Sequence, residues 1–167
     1  MRCPTSGAAI LLVLCACASR APGKAERAIM TRVKRVTVGG RSDRNPFPPT
    51  AQNVEQGRRD FSHYCVACHG LDGQGTGVPF AEGMSPPIPS LASPEVQRFS
   101  DGQLRWIVEN GIFPSGMPAS RGVLNEDEMW RIVLFLRHLP AAGSLGEPPM
   151  YAGAAAPCPP GARESGR

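Results

Sequence analysis

The sequence is poor in the aromatic residues that fill protein cores, since Phe, Trp and Tyr make up only 6% of its 167 residues. Gly and Pro are instead abundant, with 19 and 18 copies, so much of the chain is expected in loops. The length leaves room for one domain of ordinary size and not for two full cores. A domain this thin in core-forming residues often needs a disulfide, a metal or a cofactor to hold it together.

The six cysteines do not form the pattern of a disulfide framework. Cys3 and Cys15 fall in an N-terminal export signal, Cys17 is lipidated or removed with that signal, Cys65 and Cys68 form a close pair, and Cys158 is left over. Exported proteins commonly use their cysteines in disulfides. The pair Cys65 and Cys68 is therefore expected to bind something else.

An export signal is predicted over residues 1–18, because a basic residue near the amino terminus precedes the apolar run 8–16 and a group of small residues. The run is too short for a membrane-spanning helix. Two processing routes remain open. The letters LCAC resemble a bacterial lipobox, which predicts cleavage before Cys17, a lipid on that cysteine and a periplasmic protein tethered to a membrane. Cleavage after Ala18 would instead release a soluble periplasmic chain.

Residues 19–49 form a basic, Pro- and Gly-containing segment that is predicted to be a linker. A weak alternation at Val33, Val36 and Val38 allows one edge strand within it. A basic segment beside a lipidated cysteine would lie well at an anionic membrane surface, and a solvated tether without a partner fits equally. Residues 50–140 are mildly acidic, so the positive net charge of the chain belongs to this segment. No nucleic-acid partner is expected.

Alternating strand patterns are missing from this acidic region, and three helices are predicted there instead. The first covers about residues 54–64 and ends at the cysteine pair. The second lies between Ser100 as N-cap and Gly111, and the third runs from Asn125 up to Pro140. The apolar stripes comprise Leu104, Ile107 and Val108 in the second helix and Met129, Ile132, Val133, Leu136 and Leu139 in the third.

The remaining segments are rich in Gly and Pro. Residues 70–94 form a loop that is too long for a compact domain unless it wraps around a large group. Residues 141–167 are rich in Ala, Gly and Pro and are predicted to be a disordered tail. The domain itself is therefore expected to span residues 50–140.

Cys65, Cys68 and His69 form a Cys-x-x-Cys-His motif that can serve zinc binding, dithiol redox chemistry or haem attachment. A structural zinc site needs four ligands, usually from two such pairs, and no second pair exists. A redox dithiol should follow a strand and start a helix, whereas this pair ends a helix. The motif is the attachment pattern of c-type haem, because two cysteines three residues apart reach the two vinyl groups and the adjacent imidazole reaches the iron.

A second iron ligand is expected from Met117, which lies in a Gly-Met-Pro loop where a thioether is poorly placed for core packing. Three other methionines have weaker claims. Met84 follows His69 too closely, Met129 fits the buried stripe of the last helix, and Met150 lies in the tail.

Together, these features resemble a class I bacterial c-type cytochrome with His/Met ligation. The matching parts, over residues 54–139, are the helix ending in Cys-x-x-Cys-His, the segment GLDGQGTGVP, a proline-rich stretch, a helix leading into NGIFPSGMP and a final amphipathic helix. The resemblance implies an all-α fold, a small cytochrome c fold of three or more helices wrapped around one covalently bound haem c, with long loops. It assigns Cys65 and Cys68 as thioether anchors, His69 as the proximal iron ligand and Met117 as the distal one.

The resemblance also implies contacts inside the domain. The first and last helices should cross where Gly57 and Phe61 meet an aromatic residue, either Trp130 or Phe135. A proline carbonyl, for which Pro79 is the candidate, should accept a hydrogen bond from the proximal imidazole. Six apolar residues are expected to bury the haem: Ile88, Leu91, Leu104, Ile107, Val133 and Leu136.

An iron with both axial positions filled by side chains has no open site for a substrate, so electron transfer rather than catalysis is expected. The sequence thus predicts a periplasmic or membrane-anchored monohaem cytochrome. It would carry single electrons between a membrane or periplasmic donor and a terminal oxidase or reductase of a respiratory chain. Two alternatives stay open: the haem-bearing, electron-accepting subunit of a larger dehydrogenase complex, and a gas-binding haem sensor or peroxidase-like protein in which Met117 is a weak ligand.

Overall fold

The computed structural model describes residues 23, 33, 37–81, 83–84, 86–113 and 115–153. The predicted export signal and the cysteines at positions 17 and 158 lie outside these residues. Within residues 38–153, the described part of the chain contains five helices: α1 Ala51–Tyr64, α2 Val66–His69, α3 Pro94–Gln97, α4 Asp101–Asn110 and α5 Glu126–Arg137. The described residues contain two isolated β-bridges and no strand, which confirms the all-α prediction. None of their helices is long and apolar enough to cross a bilayer.

Helix α1 begins three residues before the predicted start at residue 54. The Thr50 side chain accepts a hydrogen bond from the backbone N–H of Asn53 and so pairs one of the free donors at the helix start. Thr50 directly follows Pro48 and Pro49, so α1 begins immediately after the proline-rich end of the predicted linker.

Helix α4 begins and ends at the residues that the sequence predicts. Helix α5 begins at its predicted cap, Asn125, but ends at Arg137 instead of continuing to Pro140. The Ser100 side chain accepts from the N–H of Gln103, and the Gln103 side chain accepts from the N–H of Ser100. Asn125 and Glu128 form the same reciprocal pair at the start of α5. Gly111 caps the end of α4 with a φ of 69°, which favours glycine.

Helices α1 and α5 cross at the predicted glycine. A Cβ atom on Gly57 would collide with the carbonyl group of Arg131, so the two backbones are in direct contact there. One turn further on, the rings of Phe61 and Phe135 pack at a centroid distance of 5.1 Å. Trp130 lies elsewhere, with its indole N–H donating to a glutamate side chain of its own helix. The predicted crossing is confirmed, and Phe135 is its aromatic partner.

A cluster of buried apolar residues packs between α1, α4 and α5. Its buried members are Phe61, Val108, Leu124, Met129, Ile132, Phe135 and Leu136. Of the residues predicted to bury a haem, Leu104, Val133 and Leu136 are buried, while Ile88, Leu91 and Ile107 are half-buried. The stripes predicted for α4 and α5 therefore face the interior.

The end of the predicted linker packs against the helices. In residues 38–49, the Asn45 side chain donates to the carbonyl of Trp130 at 2.9 Å. A Cβ on Gly39 would lie 2.6 Å from the indole nitrogen of Trp106, so that ring lies directly on the backbone of the segment. Interactions of this kind involve single polar groups and glycines, which leave no periodic pattern in the sequence. The folded part of the chain thus begins before the expected boundary at residue 50.

The edge strand that was predicted around Val33, Val36 and Val38 is wrong at residues 33 and 37, and residue 36 lies outside the described residues. Val33 and Thr37 are helical, and the Thr37 hydroxyl donates to the carbonyl of Val33 at 3.0 Å. A hydrogen bond from a residue to the carbonyl four positions earlier belongs to a helical turn and not to a strand.

Candidate haem-binding site

The Cys-x-x-Cys-His motif forms one compact turn at the C-terminal end of α1, and we call it the attachment turn. Cys65 caps α1, with its N–H donating to the carbonyl of Phe61 at 2.8 Å. The N–H groups of Cys68 and His69 both donate to the Cys65 carbonyl, at 3.2 and 3.0 Å. Gly70 ends the turn with a φ of 70°, a conformation that glycine adopts easily. The backbone therefore holds both thiols and the imidazole together.

The two thiols are free and do not form a disulfide. Cys65 is half-buried and Cys68 is exposed. Burial raises the pKa of Cys65 to about 12, and the neighbouring Cys68 contributes to this increase. A reactive redox dithiol has a lowered pKa instead, so Cys65 does not have the electrostatic environment of such a site.

His69 lies half-buried beside the ring of Phe61, at a centroid distance of 6.4 Å. Burial lowers the pKa of its imidazole to about 4, so the ring is neutral at neutral pH. Its Nδ1 atom is buried and has no hydrogen-bond partner among the described residues. A buried polar atom without a partner is costly, and the neutral imidazole is the form that binds metals. The state of His69 therefore fits that of a metal ligand.

The hydrogen bond predicted between the proximal imidazole and the Pro79 carbonyl is not formed, because the Nδ1 atom of His69 is unpaired. Pro79 lies on an exposed turn, directly after the buried Val78. Because the Val78 side chain is buried, the loop is held with Pro79 facing the solvent. The prediction for Pro79 is therefore wrong in this conformation.

Met117 lies in the loop after α4. Its carbonyl accepts a hydrogen bond from the N–H of Ile112 at 3.1 Å, which closes the loop. The Met117 side chain is half-buried and packs against the apolar core cluster, which Cys65 also contacts. The sequence wrongly suggested that this side chain is poorly placed for core packing. The structure nevertheless brings Met117 and the attachment turn to the same cluster.

Met84 lies closer to this loop than its place in the sequence suggests. A Cβ on Gly116 would lie 3.5 Å from the methyl carbon of Met84, so the Met84 side chain is in contact with the residue before Met117. Met84 is half-buried, whereas Met150 is 57% exposed. Met84 is therefore the second thioether to include in any test of iron ligation.

Asp72 holds the loop that follows His69. Its fully buried carboxylate accepts hydrogen bonds from the Thr76 hydroxyl at 2.5 Å, from the Gln74 N–H at 2.8 Å and from the Gly143 N–H at 2.8 Å. Burial by itself would raise the pKa of Asp72, but these hydrogen bonds outweigh it and lower the pKa. Sequence reasoning missed this residue, although an aspartate in a glycine-rich loop is a known turn signal.

Part of the predicted disordered tail covers the attachment turn. Within residues 141–153, the Tyr151 hydroxyl donates to the carbonyl of Ala67 at 2.9 Å. The Tyr151 ring packs edge-on against Phe80 at a centroid distance of 6.1 Å, and Pro148 is almost completely buried. The composition of the tail gives no sign of these contacts, because they depend on two isolated residues rather than on a pattern.

Two of three comparisons with known proteins relate the chain to others. A family model described as "Cytochrome C oxidase, cbb3-type, subunit III" matches residues 52–136. No curated protein sequence matches significantly. Among solved structures, the chain is similar to one from the Kuenenia stuttgartiensis reducing HAO-like protein complex, with 20% identity over 56% of this chain and 46% of that one and a TM-score of 0.47.

A second similar structure is cytochrome CL from the marine methylotrophic bacterium Methylophaga aminisulfidivorans, with 18% identity, 72% of this chain and 69% of that chain covered, and a TM-score of 0.43. The chain spans slightly less than half of the Kuenenia protein. The family match is the informative result, since it spans about half of the chain and includes the attachment turn and Met117. The family implies haem c and electron transfer. The chain is a class I c-type cytochrome and belongs to the family described as cytochrome c oxidase, cbb3-type, subunit III.

Proposed function

We propose that this chain carries one haem c, bound covalently through Cys65 and Cys68, with His69 and Met117 as the axial iron ligands. The attachment turn is the observation that carries this proposal, because it joins two free thiols to a half-buried, neutral imidazole. The position of Met117 against the cluster that also contacts Cys65 supports it as the second ligand.

The side chains suit a carrier of single electrons. Bound haem supplies an iron that alternates between the ferric and ferrous states. The thiols of Cys65 and Cys68 would fix one edge of the macrocycle, and His69 would donate a neutral ring nitrogen. The thioether of Met117 would favour the ferrous state more than a second imidazole does, and buried neighbours such as Val133 would exclude water.

Electron transfer is favoured over catalysis because two protein ligands would occupy both axial positions. The methionine loop is closed by the hydrogen bond from Ile112 and packed against the core, which favours a bound thioether over a displaceable one. A gas sensor or a peroxidase-like protein would instead need an easily opened iron position.

The proposed setting is the periplasm, with the chain held at a membrane by a lipid on Cys17. The basic segment after that cysteine would then lie against anionic lipid headgroups. Redox proteins are the partners of a c-type cytochrome, and we propose a membrane or periplasmic donor and a terminal oxidase or reductase as acceptor.

Optical spectroscopy tests the ligation after expression in a host with haem-attachment machinery. The wild-type ferric protein should be low-spin, with the weak near-infrared band that a methionine ligand produces. The band should disappear in Met117→Ala and remain in Met84→Ala, which removes the neighbouring thioether. The double variant should match Met117→Ala.

Four outcomes would contradict the proposal. A high-spin wild-type iron, or a band that survives in Met117→Ala, would remove Met117 as ligand. Rapid carbon monoxide binding by the reduced wild-type protein would favour a sensor or an enzyme. Isolation in a stable complex with a catalytic chain would favour the subunit of a dehydrogenase.

A further inference from the structure

Residues 141–153, which we call the C-terminal strap, follow α5 and return to the attachment turn. Most of the strap is exposed, and two of its residues fix its course. Pro148 is almost completely buried, and Tyr151 is half-buried with its N–H donating to the Pro148 carbonyl at 2.8 Å. A mostly exposed segment that buries Pro148 and half-buries Tyr151 has a defined position on the domain.

The strap is attached at two further points to the loop after His69. The N–H of Gly143 donates to the buried Asp72 carboxylate at 2.8 Å. The Gly77 position has no room for a side chain, because a Cβ there would lie 2.6 Å from the Cγ atom of Glu147. The strap and the loop are therefore in direct contact along several residues.

The bond from Tyr151 to Ala67 meets a specific need of the attachment turn. Helix α2 is a single turn, and the last carbonyls of a helix have no partner within it. The Val66 carbonyl accepts from the N–H of Gly70 at 2.9 Å, and the Ala67 carbonyl accepts from the Tyr151 hydroxyl at 2.9 Å. Ala67 directly precedes Cys68, so this hydroxyl holds the part of the backbone that carries Cys68 and His69.

We propose that Tyr151 is a positioning residue for the haem, acting through the Ala67 carbonyl, and that the strap thereby raises the reduction potential. This inference rests on the proposed haem ligation. Loss of the bond would let the attachment turn move and let water reach the haem edge beside Cys68. Exposure to water stabilises the ferric state, which carries more charge, and so lowers the potential.

Tyr151→Phe tests this inference, since it removes the hydroxyl and keeps the ring that packs against Phe80. Tyr64→Phe is the matched control, because it removes a hydroxyl from an exposed tyrosine directly before Cys65. In the haem-loaded proteins, Tyr151→Phe should lower the ratio of reduced to oxidised protein at a fixed potential by two- to fivefold. This two- to fivefold decrease of the ratio corresponds to a midpoint potential that is lower by roughly 20–40 mV. Tyr64→Phe should leave the midpoint potential unchanged.

Hydrogen–deuterium exchange gives a second readout. The amide groups of residues 68–70 should exchange faster in Tyr151→Phe than in the wild type and in Tyr64→Phe. Failure of Tyr151→Phe alone to retain haem would also support a positioning role. An unchanged potential with unchanged exchange in a low-spin, haem-loaded Tyr151→Phe protein would overturn the inference while leaving the ligation intact. Absence of covalent haem from the wild type would instead overturn the proposed function.

Discussion

Replacing Gly57 by alanine tests the contact between α1 and α5 most severely. The added Cβ would lie 2.5 Å from the carbonyl carbon of Arg131 and 3.2 Å from the backbone nitrogen of Ile132. These atoms belong to the backbone of α5 and cannot rotate away as a flexible side chain could. The two helices would have to separate, and the packing of Phe61 against Phe135 would loosen with them.

Two opposing effects determine the size of the change. Alanine favours a helix over glycine by up to about 1 kcal/mol. Overpacking a well-packed core typically costs about 1–3 kcal/mol, and a clash with rigid backbone belongs at or above the top of that range. We therefore expect the Gly57→Ala protein to lose about 2 kcal/mol of unfolding free energy, which lowers the melting temperature by about 6–12 °C.

Thermal unfolding of the haem-loaded protein, followed by circular dichroism, measures this effect. Gly83→Ala is the matched control, because a Cβ at that position meets its nearest neighbour, the Phe80 carbonyl, at an ordinary distance of 3.6 Å. The control should melt within about 2 °C of the wild type, as expected for a surface substitution that changes stability by less than about 0.5 kcal/mol. A Gly57→Ala protein as stable as the wild type, or more stable, would refute the direct backbone contact between the two helices.

Two further predictions concern the segments that surround the helices. Asn45→Ala removes the hydrogen bonds from its side chain to the Trp130 carbonyl and from the N–H of Phe47 to its side chain. Urea unfolding should show that the free energy of unfolding falls by about 1–2 kcal/mol. Ser42→Ala, at an exposed position, should leave the free energy of unfolding nearly unchanged. Because the folded pKa of Asp72 lies below its unfolded value, its contribution to stability is present above about pH 4 and is lost as the pH falls through the folded pKa. When the pH falls from about 5 to about 3, the free energy of unfolding should therefore decrease less for Asp72→Asn than for the wild type. Equal decreases in both proteins would contradict the hydrogen-bonded, ionised state of Asp72.

The helices could be predicted because their signals are local. Ser100 and Asn125 are caps directly before apolar stripes, and both start helices in the structure. The crossing at Gly57 followed from the resemblance to a family, since the sequence alone does not reveal which glycine meets a second backbone. The start of α1 was missed because its cap, Thr50, directly follows the two prolines that end the predicted linker.

The attachment turn could also be predicted, because its cysteines and histidine are adjacent in the chain. The strap could not, because the Tyr151 hydroxyl and its partner, the Ala67 carbonyl, lie 84 residues apart and backbone carbonyls carry no sequence signal. The same holds for Asn45 and the Trp130 carbonyl, which lie 85 residues apart. Segments fixed by one or two such bonds look like linkers and tails when only composition and periodicity are considered.

Covalent binding of one haem at the attachment turn underlies the proposed function. The mass of the denatured protein tests it most directly, after expression with haem-attachment machinery and alongside a Cys65→Ala/Cys68→Ala variant. We predict that the wild-type chain retains the mass of one haem after denaturation and that the variant carries none. A wild-type chain without added mass, or a variant that still retains haem, would contradict covalent attachment through these two cysteines.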